Sequence, residues 1–339
     1  LSDGITVPAY TTYAENDYNY IINDCTPSII FVSNIAQFNK LKNIIKDKKF
    51  IKKIFSFEKL PNVEFEYINL EDLIKNNNKK NIPIHKSLAL RKDPSCIIYT
   101  SGTQGNPKGV ILSHGGILNN CEGAIDILKP LLTNQQPRFL TWLPLSHSYE
   151  HTVQFVQITV AARIFYAESI DKLVKNMSDC SPEIMTAVPR FYQNLFIKIS
   201  NNFSKQKGLK KKLIENTIFF GTKILKKERL NFKQKVINFI CEVTVRKKIK
   251  KQFGGRLKAF VSGGSALDQK IGEFLNSVGL PTLQGYGLTE TSPVVSCNVP
   301  GNIQIETVGP PFKTNQVKIA YDGEILVKGE NVMLGYWNM

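Results

Sequence analysis

Residues 99–110, YTSGTQGNPKGV, combine three glycines, several hydroxyl side chains and a single lysine, Lys108. Glycine lets the backbone turn sharply, so that several N–H groups can point at one anion. The hydroxyls add further hydrogen-bond donors, and the lysine adds a compact positive charge. We therefore predict that this stretch is a loop that binds a polyphosphate.

The spacing within this loop separates it from two common nucleotide-binding patterns. A P-loop reads GxxxxGK followed by Ser or Thr, whereas here Gly102 and Gly105 are three residues apart and Gly109 follows the lysine. The segment GVILS after the lysine is typical of a strand rather than a helix, and the sequence contains no GxGxxG motif. On this loop alone, an ordinary Gly/Ser turn remains the alternative.

Further motifs follow along the chain: LPLSHSYEH (143–151), VSGGSAL (261–267), QGYGLTETSP (284–293) and GEILVKGENVMLGYW (323–337). Together with YTSGTQGNPKG they resemble, in the same order, the signature motifs of the adenylate-forming (AMP-binding) superfamily. The departures are small, since Gln104 stands where a threonine is common and Ser265 follows the paired glycines.

Within this superfamily, the chain resembles the long-chain fatty acyl-CoA synthetases most. Glu150 in LPLSHSYEH, the segment AVPRFYQNLFIKI (187–199) and the lysine-rich stretch before FGGRLKAFVSGG carry this resemblance. It implies an α/β fold, the large N-terminal domain of adenylate-forming enzymes. Layered β-sheets flanked by helices and a small β-barrel-like subdomain are expected.

The resemblance also implies a two-step reaction. A fatty acid carboxylate attacks the α-phosphate of ATP, which releases pyrophosphate and leaves an acyl adenylate. The thiol of coenzyme A then attacks the acyl carbonyl and displaces AMP. ATP, Mg²⁺ and coenzyme A as co-substrate are therefore expected, in a site that neutralises charge and aligns its reactants.

By the same resemblance, Glu290 is the expected magnesium ligand, because a hard cation prefers carboxylate oxygen. Thr289 is expected to hydrogen-bond the α-phosphate, and His147 to border the junction between the carboxylate and that phosphate. Lys108, the fourth expected catalytic residue, either binds phosphate or stabilises its loop, and Tyr286 offers a flat face to adenine. The expected nucleotide-binding residues are Thr100, Ser101, Gly102, Thr103, Gly105, Lys108, Gly263, Gly264, Ser265, Gly285, Tyr286, Gly287 and Thr289.

Several of these side chains also have ordinary structural interpretations. His147 and Tyr286 fit a protein core as well as a site, and Glu290 fits the start of a helix. Glu150 is expected to hold His147 or Arg190 in place. Arg190 is either a buried ion-pair partner or a substrate contact.

An acyl chain also needs an apolar tunnel. Its candidate wall includes Phe155, Phe191, Gly263 and residues 285–287, where glycines leave room. Most of these residues also fit a plain hydrophobic core, so the sequence does not assign the wall.

Apolar, β-rich runs alternate with helix-like segments, which predicts an α/β fold with a largely parallel sheet. The expected strands are 28–34, 96–102, 139–145, 184–189 and 257–264. The expected helices are 36–47, 113–128, 168–179, 189–201 and 268–278. Ser113 and Asp268 are the expected N-caps of two of these helices.

Two regions differ in composition from the rest. Residues 40–81, rich in lysine and asparagine and including KNNNKKN, predict a solvent-exposed loop. Residues 203–253 predict long basic helices with apolar positions near helical spacing. These helices either pack on the core through their apolar stripe or dock on an anionic membrane surface.

We expect residues 1–339 to form the large AMP-binding domain, with α/β subdomains in 1–299 and the start of a small β subdomain in 300–339. The chain starts at Leu1 and stops within a patterned segment, so we expect it to be part of a longer protein. The resemblance implies that a ribose-binding aspartate, a hinge and a C-terminal small domain with the adenylation lysine follow Met339.

The net charge of +16 suits a nucleotide, an anionic membrane surface or a nucleic acid. No zinc-finger spacing or aromatic RNA-binding signature supports a nucleic acid. Six cysteines without CxxC spacing predict free thiols in a reducing compartment. No run reaches the roughly 20 apolar residues of a membrane helix. We therefore expect a cytoplasmic location, either free or peripheral on the cytosolic face of an intracellular membrane.

The preferred interpretation is the large domain of a long-chain fatty acid–CoA ligase. A ligase for a shorter or aromatic acid and a non-catalytic nucleotide- or lipid-binding homologue are the alternatives. Lys108, Thr289 and Glu290 are all present, which argues against the non-catalytic homologue.

Overall fold

A computed structural model describes residues 3–77, 87–100, 106–133 and 135–339 of the chain. Its helices, in chain order, are α1 (Glu15–Cys25), α2 (Ile35–Ile45), α3 (Leu70–Asn77), α4 (His114–Leu128), α5 (Ser148–Thr159), α6 (Leu173–Cys180), α7 (Pro189–Ser204), α8 (Gly208–Leu225), α9 (Phe232–Cys241), α10 (Lys247–Gln252) and α11 (Gln269–Ser277).

The strands run between these helices in an alternating order that confirms the predicted α/β class. In chain order they are β1 (Ile29–Val32), β2 (Lys53–Ser56), β3 (Ile68–Asn69), β4 (Pro94–Thr100), β5 (Lys108–Ser113), β6 (Arg138–Thr141), β7 (Arg163–Tyr166), β8 (Ile184–Ala187), β9 (Ala259–Ser262), β10 (Thr282–Gly287), β11 (Val294–Cys297), β12 (Gln316–Ile319), β13 (Ile325–Lys328) and β14 (Gly335–Tyr336).

The chain divides into two compact units. The first unit comprises residues 1–111 and 334–339, and the second comprises residues 112–333. The domain boundary that we predict at residue 300 stays a prediction.

The first unit contains two three-stranded sheets. In one, β1, β2 and β3 pair in parallel in that order, and the apolar sides of α1 and α2 pack in its core around Phe38. In the other, β5 lies between β14 and β4. The segment GVILS therefore belongs to a strand, as its composition predicts.

The second unit is built on a six-stranded sheet in the order β11-β10-β9-β8-β6-β7. Every neighbouring pair in this sheet is parallel except β10–β11. Leu140, Met185 and Phe260, from three of these strands, are fully buried against the covering helices. Because the parallel strands share a direction, the segments that follow β6, β8, β9 and β10 emerge at one edge of the sheet.

The predicted helix starts in the second unit are confirmed by capping geometry. The hydroxyl of Ser113 accepts a hydrogen bond from the backbone N–H of Gly116 at 2.9 Å, which caps α4. The carboxylate of Asp268 accepts from the N–H of Ile271 at 3.1 Å and caps α11. Each bond satisfies a donor that a helix start leaves unpaired.

Two predicted boundaries are wrong. The helix expected from residue 168 begins at Leu173, because the Glu168 backbone N–H donates to the side chain of Asn176 and its carboxylate binds Lys172, which closes a turn instead. The strand expected over 139–145 ends at Thr141. After it, the N–H of His147 donates to the carbonyl of Pro144, which forms another turn.

The exposed loop predicted over residues 40–81 is also wrong for most of its length. This stretch holds the end of α2, then β2, β3 and α3. Ile54 and Leu60 are buried in the core of the first unit, and their burial outweighs the polar composition around them. Residues 78–81 of KNNNKKN lie outside the described residues.

The basic helices predicted over residues 203–253 are confirmed as α8, α9 and α10, with a π-helical turn at Glu242–Arg246. Arg246 is buried and fixes this turn. Its guanidinium donates to the backbone carbonyls of Ser277 and Thr217 at 2.8 and 2.9 Å and to the side chain of Asn238 at 2.8 Å. The hairpin of α8 and α9 is therefore tied to α11 by a charged group.

Beyond residue 300, β12 and β13 pair as an antiparallel hairpin. No helix in the described part of the chain has the length and apolar content to cross a membrane.

Replacing Arg246 with methionine tests how strongly its guanidinium holds the α8–α9 hairpin to α11. The change leaves two buried carbonyls without their donors, so we expect the free energy of unfolding to fall by about 3 kcal/mol or more. Lys247→Met, the exposed neighbour on the same helical segment, is the control and should change stability by at most about 0.5 kcal/mol. Urea denaturation of both variants measures this difference, and equal stabilities would refute the assignment.

Candidate active site

The structure distributes the predicted site residues between the two units. Thr100 and Lys108 belong to the first unit, at the end of β4 and the start of β5. Ser101, Gly102, Thr103 and Gly105 lie outside the described residues. The other predicted residues all lie in the second unit, at the end of β10 and on the segments that follow β6, β9 and β10.

The turn after β9 and the end of β10 lie side by side in the second unit. Val261 and Ser262 on β9 pair with Leu283 and Gln284 on β10, which continues toward the predicted glycine and tyrosine positions. The side chain of Gln284 accepts a hydrogen bond from the N–H of Leu267 at 2.7 Å and ties the end of the turn to β10. Residues 263–265 and 285–287 are therefore held as neighbours.

Two different structural reasons explain why glycine stands at positions 263 and 264 of this turn. A Cβ at Gly263 would lie 2.9 Å from the ring of Tyr149, so the tyrosine occupies the space that a side chain would need. Gly264 has φ = +86°, a conformation that favours glycine. The Tyr149 hydroxyl donates to the carbonyl of Val261 at 3.0 Å, which fixes the ring against β9.

The first turn of α5 brings the LPLSHSYEH motif to the same edge. The hydroxyls of Ser148 and Thr289 share a hydrogen bond of 3.0 Å, which joins α5 to the turn after β10. Thr152, one turn further along α5, donates to the carbonyl of Ser292 at 3.1 Å. The structure thus brings Thr289 next to the residue that follows His147.

His147 is the N-cap of α5. Its Nδ1 accepts a hydrogen bond from the backbone N–H of Tyr149 at 3.2 Å, so in the neutral ring the proton is on Nε2. Burial lowers the pKa of His147 below its ordinary value. The side chain is therefore a neutral hydrogen-bond donor near neutral pH and caps α5.

Thr289 and Glu290 lie on a short 3₁₀ turn, Thr289–Thr291, whose backbone is held by buried amides. The side chains of Asn120 and Asn331 both donate to the carbonyl of Thr291 at 3.3 Å. Asn120 also accepts from the N–H of Val294 at 2.7 Å.

The backbone of Glu290 is fixed as well, because its carbonyl accepts from the N–H of Met333 at 2.9 Å. The side chains of Thr289 and Glu290 are both half-buried. This turn is the most firmly held part of the candidate site.

Glu150 has a different partner from the one that the sequence predicts. Its carboxylate is fully buried and accepts a hydrogen bond from the hydroxyl of Thr186 at 2.7 Å, not from His147 or Arg190. Thr186 lies on β8, so the carboxylate of Glu150 is directed to this strand. Burial raises the pKa of Glu150 to about 7.

The structure also bears on the alternatives for three further candidates. Arg190 is exposed, so it is not a buried ion-pair partner. Phe191 packs against Trp142 and Phe260 and belongs to the core. Phe155 is 38% exposed and meets the ring of His151 edge-on, which leaves it the better candidate for a ligand contact.

In the first unit, side-chain contacts hold the end of β4 and the start of β5. Lys108 is exposed, and its ammonium group lies 5.0 Å from the ring centroid of Tyr336. The Tyr99 hydroxyl donates to the carboxylate of Asp24 at 2.5 Å. Trp337 donates to the carbonyl of the same aspartate at 3.1 Å, so α1, β4 and β14 meet at one residue.

Glu290 is the carboxylate that the sequence predicts as a magnesium ligand, and it lies on the Thr289–Thr291 turn. Within the described ranges, no three His, Cys, Asp or Glu residues cluster closely enough to form a metal cage. Mg²⁺ is commonly bound by one or two carboxylates together with substrate phosphates. Glu290, on its fixed turn, can supply one such carboxylate.

Sequence reasoning missed Ser148, Tyr149 and Asn120 as parts of this site. Ser148 and Tyr149 lie inside a motif that was recognised, so their position next to His147 was an available signal. Asn120 had no comparable signal, because an asparagine within a helix identifies no partner in the sequence.

Comparison with known proteins shows which family and which relatives the chain resembles. The family model described as "AMP-binding enzyme" matches residues 2–337. A Mycobacterium bovis protein named long-chain-fatty-acid–CoA ligase FadD15 is 30% identical over 74% of this chain and 42% of its own length. Long chain acyl-CoA synthetase 3 of Arabidopsis thaliana is 29% identical over 98% of this chain and 53% of its own length.

Solved structures share the fold. The anthranilate CoA ligase AuaEII in complex with anthranoyl-AMP matches 99% of this chain and 56% of its own, with a TM-score of 0.70 and 17% identity. A putative long-chain-fatty-acid CoA ligase from Rhodopseudomonas palustris matches 99% of this chain and 72% of its own, with a TM-score of 0.70 and 15% identity. The chain spans about half the length of the curated relatives it matches.

The buried carboxyl of Glu150 predicts a pH-dependent stability. Burial raises the pKa of Glu150 from its ordinary value of 4.5 to about 7, so folding favours the protonated form. The free energy of unfolding should therefore fall as the pH rises between these values and level off above the higher one. Glu150→Gln removes this titration and keeps an acceptor for Thr186.

We expect Glu150→Gln to be more stable than the parent by about 3 kcal/mol near pH 8, and by much less near pH 5. Urea denaturation across this pH range measures the difference, with Glu306→Gln at an exposed position as the control. A difference that does not change with pH would contradict the predicted burial of a titrating carboxyl.

Proposed function

The chain belongs to the AMP-binding enzyme family, and on this premise we propose that it forms the nucleotide-binding part of a long-chain fatty acid–CoA ligase. The proposed enzyme activates the fatty acid with ATP as an acyl adenylate, releases pyrophosphate, and transfers the acyl group to coenzyme A with release of AMP. One observation carries the proposal: Thr289 and Glu290 are held on a rigid turn beside the His147 end of α5.

The proposed adenine site lies between the turn that follows β9 and the end of β10. Tyr286 is half-buried and offers its ring to a base, and Gly263, Gly264 and Ser265 present backbone next to it. An aromatic face and exposed amide groups are the two contacts that a purine uses. Gly285 and Gly287 keep the strand free of side chains on either side of the tyrosine.

The proposed reaction centre lies at the Ser148–Thr289 hydrogen bond. The Thr289 hydroxyl can donate to an α-phosphate oxygen if it exchanges its partner Ser148, and the neutral ring of His147 can donate from Nε2. Donors whose positions are already set stabilise developing negative charge without reorganisation. We assign His147 an electrostatic and positioning role, because neither its Nδ1 hydrogen bond nor the Ser148–Thr289 hydrogen bond requires it to act as a nucleophile.

Glu290 is the proposed ligand of the Mg²⁺ that accompanies ATP. When bound, this ion would neutralise phosphate charge and so make the phosphorus easier for a carboxylate to attack. The protein's own contribution is the turn that holds Glu290 in place.

The first unit carries the described residues of the predicted phosphate loop. Lys108 and Thr100, together with Ser101, Gly102, Thr103 and Gly105, are proposed to bind the β- and γ-phosphates. The exposed ammonium group of Lys108 supports this proposal, since a compact charge on β5 is available to an anion.

Long-chain specificity rests on the relatives rather than on a described tunnel. The curated relatives above are named for long-chain acids, whereas one structural neighbour is named for anthranilate. A ligase for a shorter or aromatic acid is therefore the second candidate. Coenzyme A as acceptor and a cytoplasmic or peripheral membrane location belong to the same proposal.

Because the chain spans about half of these relatives, we propose that residues 1–339 alone bind ATP weakly and form adenylate slowly. The activity is therefore tested on the full-length protein. Pyrophosphate release with palmitate, octanoate and benzoate as alternative acids should be fastest with palmitate. A preference for benzoate or octanoate would support the second candidate instead.

Glu290→Ala tests the site itself. We expect pyrophosphate release by the full-length protein to fall by at least about 100-fold, because a charge-neutralising group in the transition state is lost. Glu324→Ala, at an exposed position near β13, is the matched control and should leave the rate unchanged. An unchanged rate in Glu290→Ala, with the protein folded, would favour a non-catalytic homologue or another site.

A further inference from the structure

One face of α9 and the π-helical turn after it is apolar and exposed to solvent. We call this face the α9 stripe, and its members are Phe232, Val236, Phe239, Ile240 and Val243. Phe232 and Phe239 are 81% and 66% exposed, which is unusual for side chains that are typically buried. The described residues of the second unit do not cover this face.

The spacing of the stripe explains why its members lie together. Positions 232, 236, 239 and 243 recur every three or four residues, so they follow one side of a helix. Lys233 and Lys235 fall on either flank of this side, at about 100° per residue. The stripe is therefore a narrow apolar ridge with a cation on each edge.

The opposite face of α9 is used for packing. Cys241 is buried, and its thiol lies 3.7 Å from the carbonyl of Leu213 on α8. The buried guanidinium of Arg246 ties the following turn to α8 and α11. Because the opposite face of α9 already packs on the second unit, the exposed phenylalanines lie on its outer face.

The charge around the stripe is strongly one-sided. Residues 203–253 contain sixteen lysines and arginines against three glutamates, so most of the chain's net charge of +16 lies in this segment. Lysines adjacent to an apolar helix face can bury their methylene stems and keep the ammonium group in a polar layer. An apolar ridge flanked by lysine is the pattern of a helix that lies in the plane of a lipid interface.

We propose that the α9 stripe docks on an anionic membrane surface, with Phe232 and Phe239 inserted among the acyl chains and Lys233 and Lys235 beside lipid phosphates. Charge complementarity selects this occupant. A second copy of the chain would bring two strongly basic segments together, which opposes association. A nucleic acid would match the charge but would leave the aliphatic members of the stripe without apolar contact.

This proposal does not depend on the proposed catalytic function, because it uses no residue of the candidate active site. For the basic helices, the sequence left a choice between packing on the core and docking on a membrane surface. Their inner face packs on the core and their outer face binds lipid, so both expectations apply to the same hairpin.

Vesicle co-sedimentation of the full-length protein tests the proposal. Vesicles of phosphatidylcholine with about 30% phosphatidylserine are compared with pure phosphatidylcholine, at low and high salt. We expect binding only to the anionic vesicles and weaker binding at high salt. Phe232→Ser with Phe239→Ser should weaken binding by about tenfold or more, because apolar insertion is lost.

Phe57→Ser, at a 60% exposed aromatic of the first unit, is the matched control and should bind as the parent does. Lys233→Gln with Lys235→Gln should weaken binding by about fivefold per lysine. Binding that needs the lysines but is unchanged in the double serine variant would show a simple polyanion site and overturn the proposal. Loss of a dimer in the serine variant, measured by sedimentation velocity without vesicles, would overturn it in favour of a second copy.

Discussion

The candidate active site depends on two buried amide side chains, Asn120 and Asn331, that hold the turn carrying Thr289 and Glu290. Both donate to the carbonyl of Thr291, and Asn120 also accepts from the backbone N–H of Val294. A buried backbone group left without a partner costs about 1–3 kcal/mol. The protein meets this need with the buried side chains of Asn120 and Asn331, so the turn that carries Thr289 and Glu290 keeps its shape.

The sheet explains why this turn meets the histidine motif. Parallel strands send the segments after β6, β8, β9 and β10 to one edge, where the Ser148–Thr289 and Tyr149–Val261 hydrogen bonds join them. In the proposed site, the neutral ring of His147 would donate to a phosphate oxygen, and Glu290 would bind the Mg²⁺ that accompanies the phosphate. The proposed membrane contact of the basic hairpin, by contrast, would use exposed apolar area and charge, which require no preset geometry.

The sequence was a good guide where local signals and tertiary packing agree. The caps Ser113 and Asp268, the strand after Lys108 and the basic helices were all predicted from spacing and composition. The prediction was wrong where it did not anticipate a side-chain hydrogen bond, as at Glu168, which binds Lys172 and Asn176 in a turn. Glu150 shows the same limit, because its partner Thr186 lies on a strand that the motif does not include.

A crystal structure of the full-length protein with a non-hydrolysable fatty acyl-adenylate analogue tests the central claim most directly. The account predicts adenine on the face of Tyr286 beside Gly263 and Gly264, and the phosphate within hydrogen-bond distance of the Thr289 hydroxyl. A nucleotide bound elsewhere, with the Thr289–Thr291 turn free of contact, would contradict it.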